Sequence, residues 1–229
     1  MTIQINDVRD DLVRASAPVG LVATTRRPGL YRNFGKRALD IALVLAASVV
    51  VLPFVLVLAL LVAMDGGRPF YASDRVGRNG RVFRMLKLRT MVPDADRMLE
   101  AYLNANPSAQ LEWDRTQKLK DDPRITRLGR FLRKTSLDEL PQLWNVLVGD
   151  MSLVGPRPMM PSQRILYPGL AYYALRPGIS GPWQVSDRND CAFAKRAEYD
   201  REYDRNVSLA TDLRVIFRTI AVVVRGTGC

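Results

Sequence analysis

Residues 41–64 are almost entirely apolar and carry no charged side chain, and no other stretch of the chain is apolar for so long. A helix of this length reaches about 36 Å at about 1.5 Å per residue, enough to cross a hydrocarbon core of about 30 Å. Pro53 stands near its middle. An interior proline removes a backbone donor and kinks a helix. A break there leaves two arms of about 18 Å each, too short to cross but long enough to enter one leaflet and return. Arg26, Arg27, Arg32, Lys36 and Arg37 precede the segment, and Arg68, Arg75, Arg78, Arg81 and Arg84 follow it. Cations gather on the cytoplasmic side, so the flanks favour a return. A single kinked span stays open, because membrane helices tolerate proline.

Beyond this segment the pattern shortens. Residues 69–91 alternate about Asn79-Gly80 and predict a β-hairpin. Lys87 and Arg89 lie two positions apart, so they share a strand face. Met98, Leu99, Tyr102 and Leu103 mark an amphipathic helix over 94–103. Asp122-Pro123 opens another helix, with Asp122 as its cap. Ile125, Leu128 and Leu132 form one face of it and arginines the other, as in a helix lying on a membrane surface, with Arg124 on the interfacial side. Leu140, Leu143, Trp144 and Leu147 predict the core face of a helix whose first residue is Pro141. Residues 190–204 read as a charged, solvated helix, and 213–224 as a further interfacial one, with Leu213, Ile216, Phe217, Ile220, Val223 and Val224 on one side. The fold class is α+β, mostly helical, with one hairpin and amphipathic helices at a membrane. Residues 1–34 read as a tail, 35–65 as the membrane element and 66–229 as the remaining domain.

Charge narrows the chemistry. A formal net charge of +11 implies polyanionic partners: nucleic acid, anionic lipid or phosphorylated small molecules. The chain contains no histidine, which excludes every His-based triad and the commonest zinc ligand. Cys191 and Cys229 match no metal or redox spacing and read as reduced thiols. The apolar run starts late and no small-residue cleavage site follows it, so it is not read as a signal peptide. Within the basic background Asp138 and Glu139 are adjacent, preceded by Arg124, Arg127, Arg130, Arg133 and Lys134, and followed after a helix by Gly155-Pro156-Arg157-Pro158. Adjacent carboxylates among cations suit a phosphorylated, metal-bound substrate. Ser136-x-x-Glu139 also fits a capping box, and both readings stand at this point.

The motifs decide more together than singly. Lys36-Arg37-x-x-Asp40, Lys87-Leu88-Arg89-Thr90-Met91, Ser136-Leu137-Asp138-Glu139-Leu140-Pro141-Gln142, Gly149-Asp150-Met151-Ser152-x-Val154-Gly155-Pro156-Arg157-Pro158 and Arg176-Pro177-Gly178-Ile179-Ser180-Gly181 occur in this order. In these the chain resembles the bacterial sugar transferases, the monotopic phosphoglycosyl transferases. Trp183-Gln184-Val185-Ser186-x-Arg188-Asn189-Asp190 looks most like the exopolysaccharide-initiating, galactose-type members.

The resemblance implies transfer of a hexose-1-phosphate from a UDP-sugar to polyprenyl phosphate, at the cytoplasmic face of the bacterial inner membrane. It also implies a re-entrant helix broken at Pro53, where the family often has Ser-Pro and this chain has Leu52-Pro53. Asp138 would be the nucleophile, and Glu139 with Asp138 would hold Mg2+. Lys87, Arg133, Arg157 and Arg176 would neutralise phosphate oxygens, and Arg89 and Gln184 complete the substrate-binding set. A homodimer is allowed and nucleic acid is not an expected partner. A non-enzymatic, membrane-anchored basic module is the competing reading, and it leaves the acidic pair unexplained. A transferase without a covalent intermediate is the third.

Overall fold

The computed structural model describes residues 29–116, 119–186 and 193–224. The apolar segment forms α1 (Lys36–Ala63), entered through a π-helical turn at Tyr31–Gly35. The expected tail therefore ends earlier than residue 34, and its first part lies outside the described residues. Helical structure continues through Pro53 without interruption. Ser48 does not re-bond the Val49 carbonyl that Pro53 leaves free; its hydroxyl donates to the Leu45 carbonyl instead, at 2.7 Å.

Both ends of α1 are tied to the same domain. At the N-terminal end Arg37 donates to the Val146 and Leu147 carbonyls, and Asp40, buried, accepts from the Leu153 amide at 3.0 Å. At the other end Arg89 donates to the Val62 carbonyl at 2.9 Å and pairs with Asp65. Val44 packs with Phe83, Met85, Val146 and Met151, whereas Leu58, Ala59 and Val62 pack with Leu88 and Leu132. No residue between Val44 and Val55 is buried.

β1 (Phe70–Val76) and β2 (Val82–Leu88) form the predicted hairpin, in register from Phe70↔Leu88 to Val76↔Val82. Asn79 and Gly80 take positive φ, 59° and 76°, within a loop wider than a two-residue turn. α2 (Ala95–Ala105) and α3 (Pro107–Thr116) follow, and then α4 (Arg127–Thr135). Thr126, not Asp122, caps α4, its Oγ1 accepting from the Gly129 amide at 2.9 Å. Asp122 instead grips Arg124, at 2.7 and 2.8 Å, and the guanidinium lies over Trp113 at 5.2 Å. Arg124 is thus buried, not interfacial. Leu128 and Leu132 pack inward on α1 and Leu88 rather than on lipid, because the end of α1 supplies apolar surface to cover.

α5 (Gln142–Val148) departs furthest from the apolar pattern. Leu143 and Leu147 pack on the core as expected, but the fully buried positions are Gln142, Asn145 and Val146, and Trp144 is 59% exposed. The reason is the open edge of β2. The Asn145 amide accepts from Leu86 N and donates to the Arg84 carbonyl, both at 2.9 Å, in place of a third strand. Asn145→Leu is expected to destabilise the protein by about 2–4 kcal/mol, because two buried backbone groups lose their partners. Thermal unfolding of the purified protein checks this, and an unchanged midpoint would contradict it.

β3 (Ser152–Val154) pairs in parallel with β4 (Gly178–Ser180), with the short α6 (Ala171–Ala174) between them. The two strands approach closely at glycine: a Cβ on Gly155 would lie 2.2 Å from the Arg176 carbonyl. α7 (Arg196–Asn206) is not merely solvated, since Ala197, Asp200 and Tyr203 are buried. Residues 190–192 of that expected helix, Cys191 among them, lie outside the described residues, as does Cys229. In α8 (Leu209–Val224) Val215 joins the core while Phe217 and Ile220 stay exposed. Buried Asp212 accepts from Tyr31, Lys36 and Tyr203, so it staples the start of α1 to α8.

Candidate active site

α4 ends at Ser136, which turns left-handed at φ 57°, and the chain then makes a single 3-10 turn, Leu137–Glu139. Pro141 closes that turn and α5 begins at Gln142, one residue later than expected. Ser136 makes no side-chain cap, so the capping-box reading fails. Asp138 and Glu139 are held on a connector between two packed helices, and Asp138 is only 7% exposed.

β2 delivers Lys87 to the pair. Its Nζ lies 2.8 Å from Glu139 Oε1 and 3.7 Å from Asp138 Oδ2. Arg133, in the last turn of α4, is oriented by a 2.8 Å hydrogen bond from Nε to Thr90 Oγ1. Burial pushes its guanidinium down while Asp138 holds it up. Arg157 stands exposed on the stiff loop after β3, its guanidinium 5.7 Å from the Trp183 ring centroid. Among the described residues it makes no hydrogen bond or ion pair. Lys87, Glu139, Arg157 and Gln184 line one cavity of about 60 Å³, together with Arg75 and Gln142.

The two carboxylates differ electrostatically. Burial raises Asp138 above the ordinary carboxylate range, and Glu139 adds to that; Lys87 and Arg133 pull it down. Burial acts on Glu139 in the same sense, but the Lys87 ammonium and its hydrogen bond, with Arg157 behind, hold Glu139 below its ordinary value. Two expected ligands are not brought to the pair. Arg89 spends its guanidinium on the carbonyls of Val62, Arg68 and Met91 and on Asp65. Arg176 donates to the Gly149 carbonyl at 2.9 Å and feels Arg78, Arg37 and Asp40 rather than Asp138.

The description of the bacterial sugar transferases matches residues 31–226. The chain belongs to the bacterial sugar transferase family. It is 48% identical over 198 residues to a UDP-galactose-lipid carrier transferase of Erwinia amylovora, covering 86% of this chain and 42% of that one. It is 44% identical over 220 residues to the exopolysaccharide production protein ExoY of Rhizobium meliloti, covering 93% and 96%. An undecaprenyl-phosphate galactose phosphotransferase of Salmonella typhimurium is 45% identical over 198 residues, again with 42% of its own length covered. The chain thus spans less than half of two of these relatives and nearly all of the third.

In this sugar transferase two polar lining residues, Arg75 and Gln142, have no site role in the motif reading. Arg75 was legible: folding the hairpin at Asn79-Gly80 pairs Tyr71 with Lys87 and so puts Arg75 on the same face. Gln142 carried no signal beyond its place after Pro141. The pair also sets a pH expectation. With Asp138 as the attacking carboxylate that the resemblance implies, the acid limb of kcat/KM should lie above the usual carboxylate range, because a carboxylate attacks only when ionised and Asp138 is raised. Lys87→Met should move that limb to higher pH, because Lys87 is the strongest group lowering Asp138. A limb that stays put would show that another group controls it.

Proposed function

We propose that this chain transfers a hexose-1-phosphate from a UDP-sugar to polyprenyl phosphate, releasing UMP, through a phosphosugar carried covalently on Asp138. One observation carries the reading: a buried Asp138 beside Glu139, faced by Lys87, Arg133 and Arg157, in a chain without histidine. A carboxylate needs no base to act as a nucleophile. The names of the relatives agree, since they speak of galactose or glucose and of a lipid carrier or undecaprenyl phosphate.

In the first step an Asp138 Oδ forms a bond to the sugar-linked phosphorus. The bond from that phosphorus to the bridging oxygen breaks, and its electron pair leaves with UMP. In the second step an oxygen of polyprenyl phosphate attacks the same phosphorus and the Asp138 carboxylate departs. Lys87, Arg133 and Arg157 neutralise charge on the phosphoryl oxygens in both steps.

Two adjacent carboxylates fit Mg2+, which takes one or two carboxylates and completes its shell from phosphate and water. Among the described residues no third acidic, histidine or cysteine side chain joins them. Glu139 with Asp138 would hold the ion, which when bound would offset the charge of the diphosphate.

The membrane reading rests on α1. Tyr31–Ala63 is long and apolar enough to cross by length and composition. Yet Arg37 and Asp40 at one end, and Val62 and Asp65 at the other, hold the same domain. The longest run of α1 without a buried residue is 45–54, about 15 Å against a core of about 30 Å. This supports a re-entrant helix, with the domain on the cytoplasmic face of the bacterial inner membrane where the basic flanks belong. With Cys191 and Cys229 replaced by serine, Asn33→Cys and Arg68→Cys should both react with an impermeant thiol reagent in inverted vesicles and neither in spheroplasts. Opposite sidedness would show a span.

The activity is tested with purified protein in nanodiscs containing polyprenyl phosphate and Mg2+, given a panel of UDP-sugars. UMP release with one hexose, matched by label in extracted lipid, is expected. Silence across the panel would overturn the reading.

A further inference from the structure

Arg75 is a residue of the site that the mechanism above leaves without a role. The register Tyr71↔Lys87, Ser73↔Met85 and Arg75↔Phe83 sets it on the hairpin face that carries Lys87. It lines the cavity of about 60 Å³ beside Glu139. Three cations, Arg75, Lys87 and Arg157, meet there against one carboxylate, and Lys87 already holds that carboxylate at 2.8 Å. Among the described residues neither guanidinium makes an ion pair: Arg75 donates to the Asp74 carbonyl, at 2.8 Å, and feels the Asp74 carboxylate, as Arg157 feels Glu139, only through space. Burial pushes Arg75 below the usual arginine value, and nearby Arg157 acts in the same direction. Two guanidinia that repel each other around a small polar cavity are costly unless an anion joins them. Ser73 Oγ, on the same strand face, is buried without a partner.

The space matches about two waters at about 30 Å³ each, the scale of a single tetrahedral oxyanion. Asp138 is not among the lining residues, so the cavity lies on the Glu139 side of the acidic pair. We propose that Arg75, with Arg157, binds the phosphate that departs with the nucleotide. Planar guanidinia suit this work because each offers paired donors to phosphate oxygens. The inference rests on the reading of the chain as a UDP-sugar enzyme.

The test is calorimetric titration of UMP into the full chain in nanodiscs, for wild type, Arg75→Ala, Arg75→Lys and Arg78→Ala. Arg78 is exposed in the hairpin loop and does not line the cavity, so it reports the general field. Arg75→Ala should weaken UMP by about tenfold or more, as for a lost charge-assisted hydrogen bond. Arg75→Lys should recover part of the loss and guards against misfolding of the alanine variant. Arg78→Ala should stay within about twofold of wild type, since a surface charge contributes little. Wild-type affinity in both Arg75 variants, or an equal loss in Arg78→Ala, overturns the inference. UMP release from a UDP-sugar by the same wild-type preparation separates the two claims. If release occurs but UMP binding ignores Arg75, only this inference fails; if neither release nor UMP binding occurs, the underlying reading fails with it.

Discussion

Asp138→Asn should lose UMP release by something on the order of 10⁴-fold or more, even with no lipid acceptor present. The substitution keeps the size of the side chain and its place in the Leu137–Glu139 turn, so the fold has no reason to change. It removes the anionic oxygen, and an amide oxygen is a poor nucleophile toward phosphorus. Loss in the acceptor-free half-reaction matters more than loss of overall turnover, because a residue that only held metal or oriented the lipid phosphate would leave a first step to observe. Glu139→Gln provides the contrast. It should slow both steps and weaken the Mg2+ dependence while the nucleophile remains. Equal and modest losses from the two substitutions would reassign Asp138 to metal binding.

Arg157→Ala should lower kcat by on the order of 10²-fold, as when one positioned donor to a developing phosphoryl charge is lost. The stiff loop after β3 holds this arginine, which has no acidic partner among the described residues and acts on Glu139 through space. Little folding energy is therefore at stake, and the thermal midpoint should barely move. Arg89→Ala should do the reverse. Its guanidinium fastens the end of α1 through the Val62 carbonyl and Asp65, so the variant should lose stability and membrane recovery while folded enzyme retains its turnover. Steady-state kinetics alongside thermal unfolding separates the two. Matching profiles for both variants would mean that the cations act only as a diffuse field.

The contrast between Lys87 and Arg89 shows how far residue patterns carry. Strand alternation correctly paired the hairpin and put Lys87 beside the acidic pair, but alternation cannot say that a longer side chain bends away to cap a neighbouring helix. The connector was legible because Pro141 can begin a helix but not continue one, which left Asp138 and Glu139 ahead of it. On α5 Leu143 and Leu147 pack on the core as the pattern predicts, but Trp144 does not, because apolar periodicity assumes an apolar partner. The edge of β2 needs a donor and an acceptor, so Asn145 faces inward and Trp144 outward. Arg124 and Leu132 were assigned to lipid for a related reason: a basic amphipathic stripe looks alike on a membrane and against another helix. Which helix it meets is long-range information, set here by the C-terminal end of α1 packing on Leu88 and Leu132.

The central claim is the covalent phosphosugar on Asp138. Wild-type protein mixed with its UDP-hexose and quenched rapidly, without polyprenyl phosphate, should yield a peptide containing Asp138 heavier by one hexose-phosphate. That adduct should vanish when the acceptor is added before the quench. An unmodified peptide at every quench time, from enzyme that still turns over when acceptor is supplied, would contradict the account and favour direct attack by the lipid phosphate.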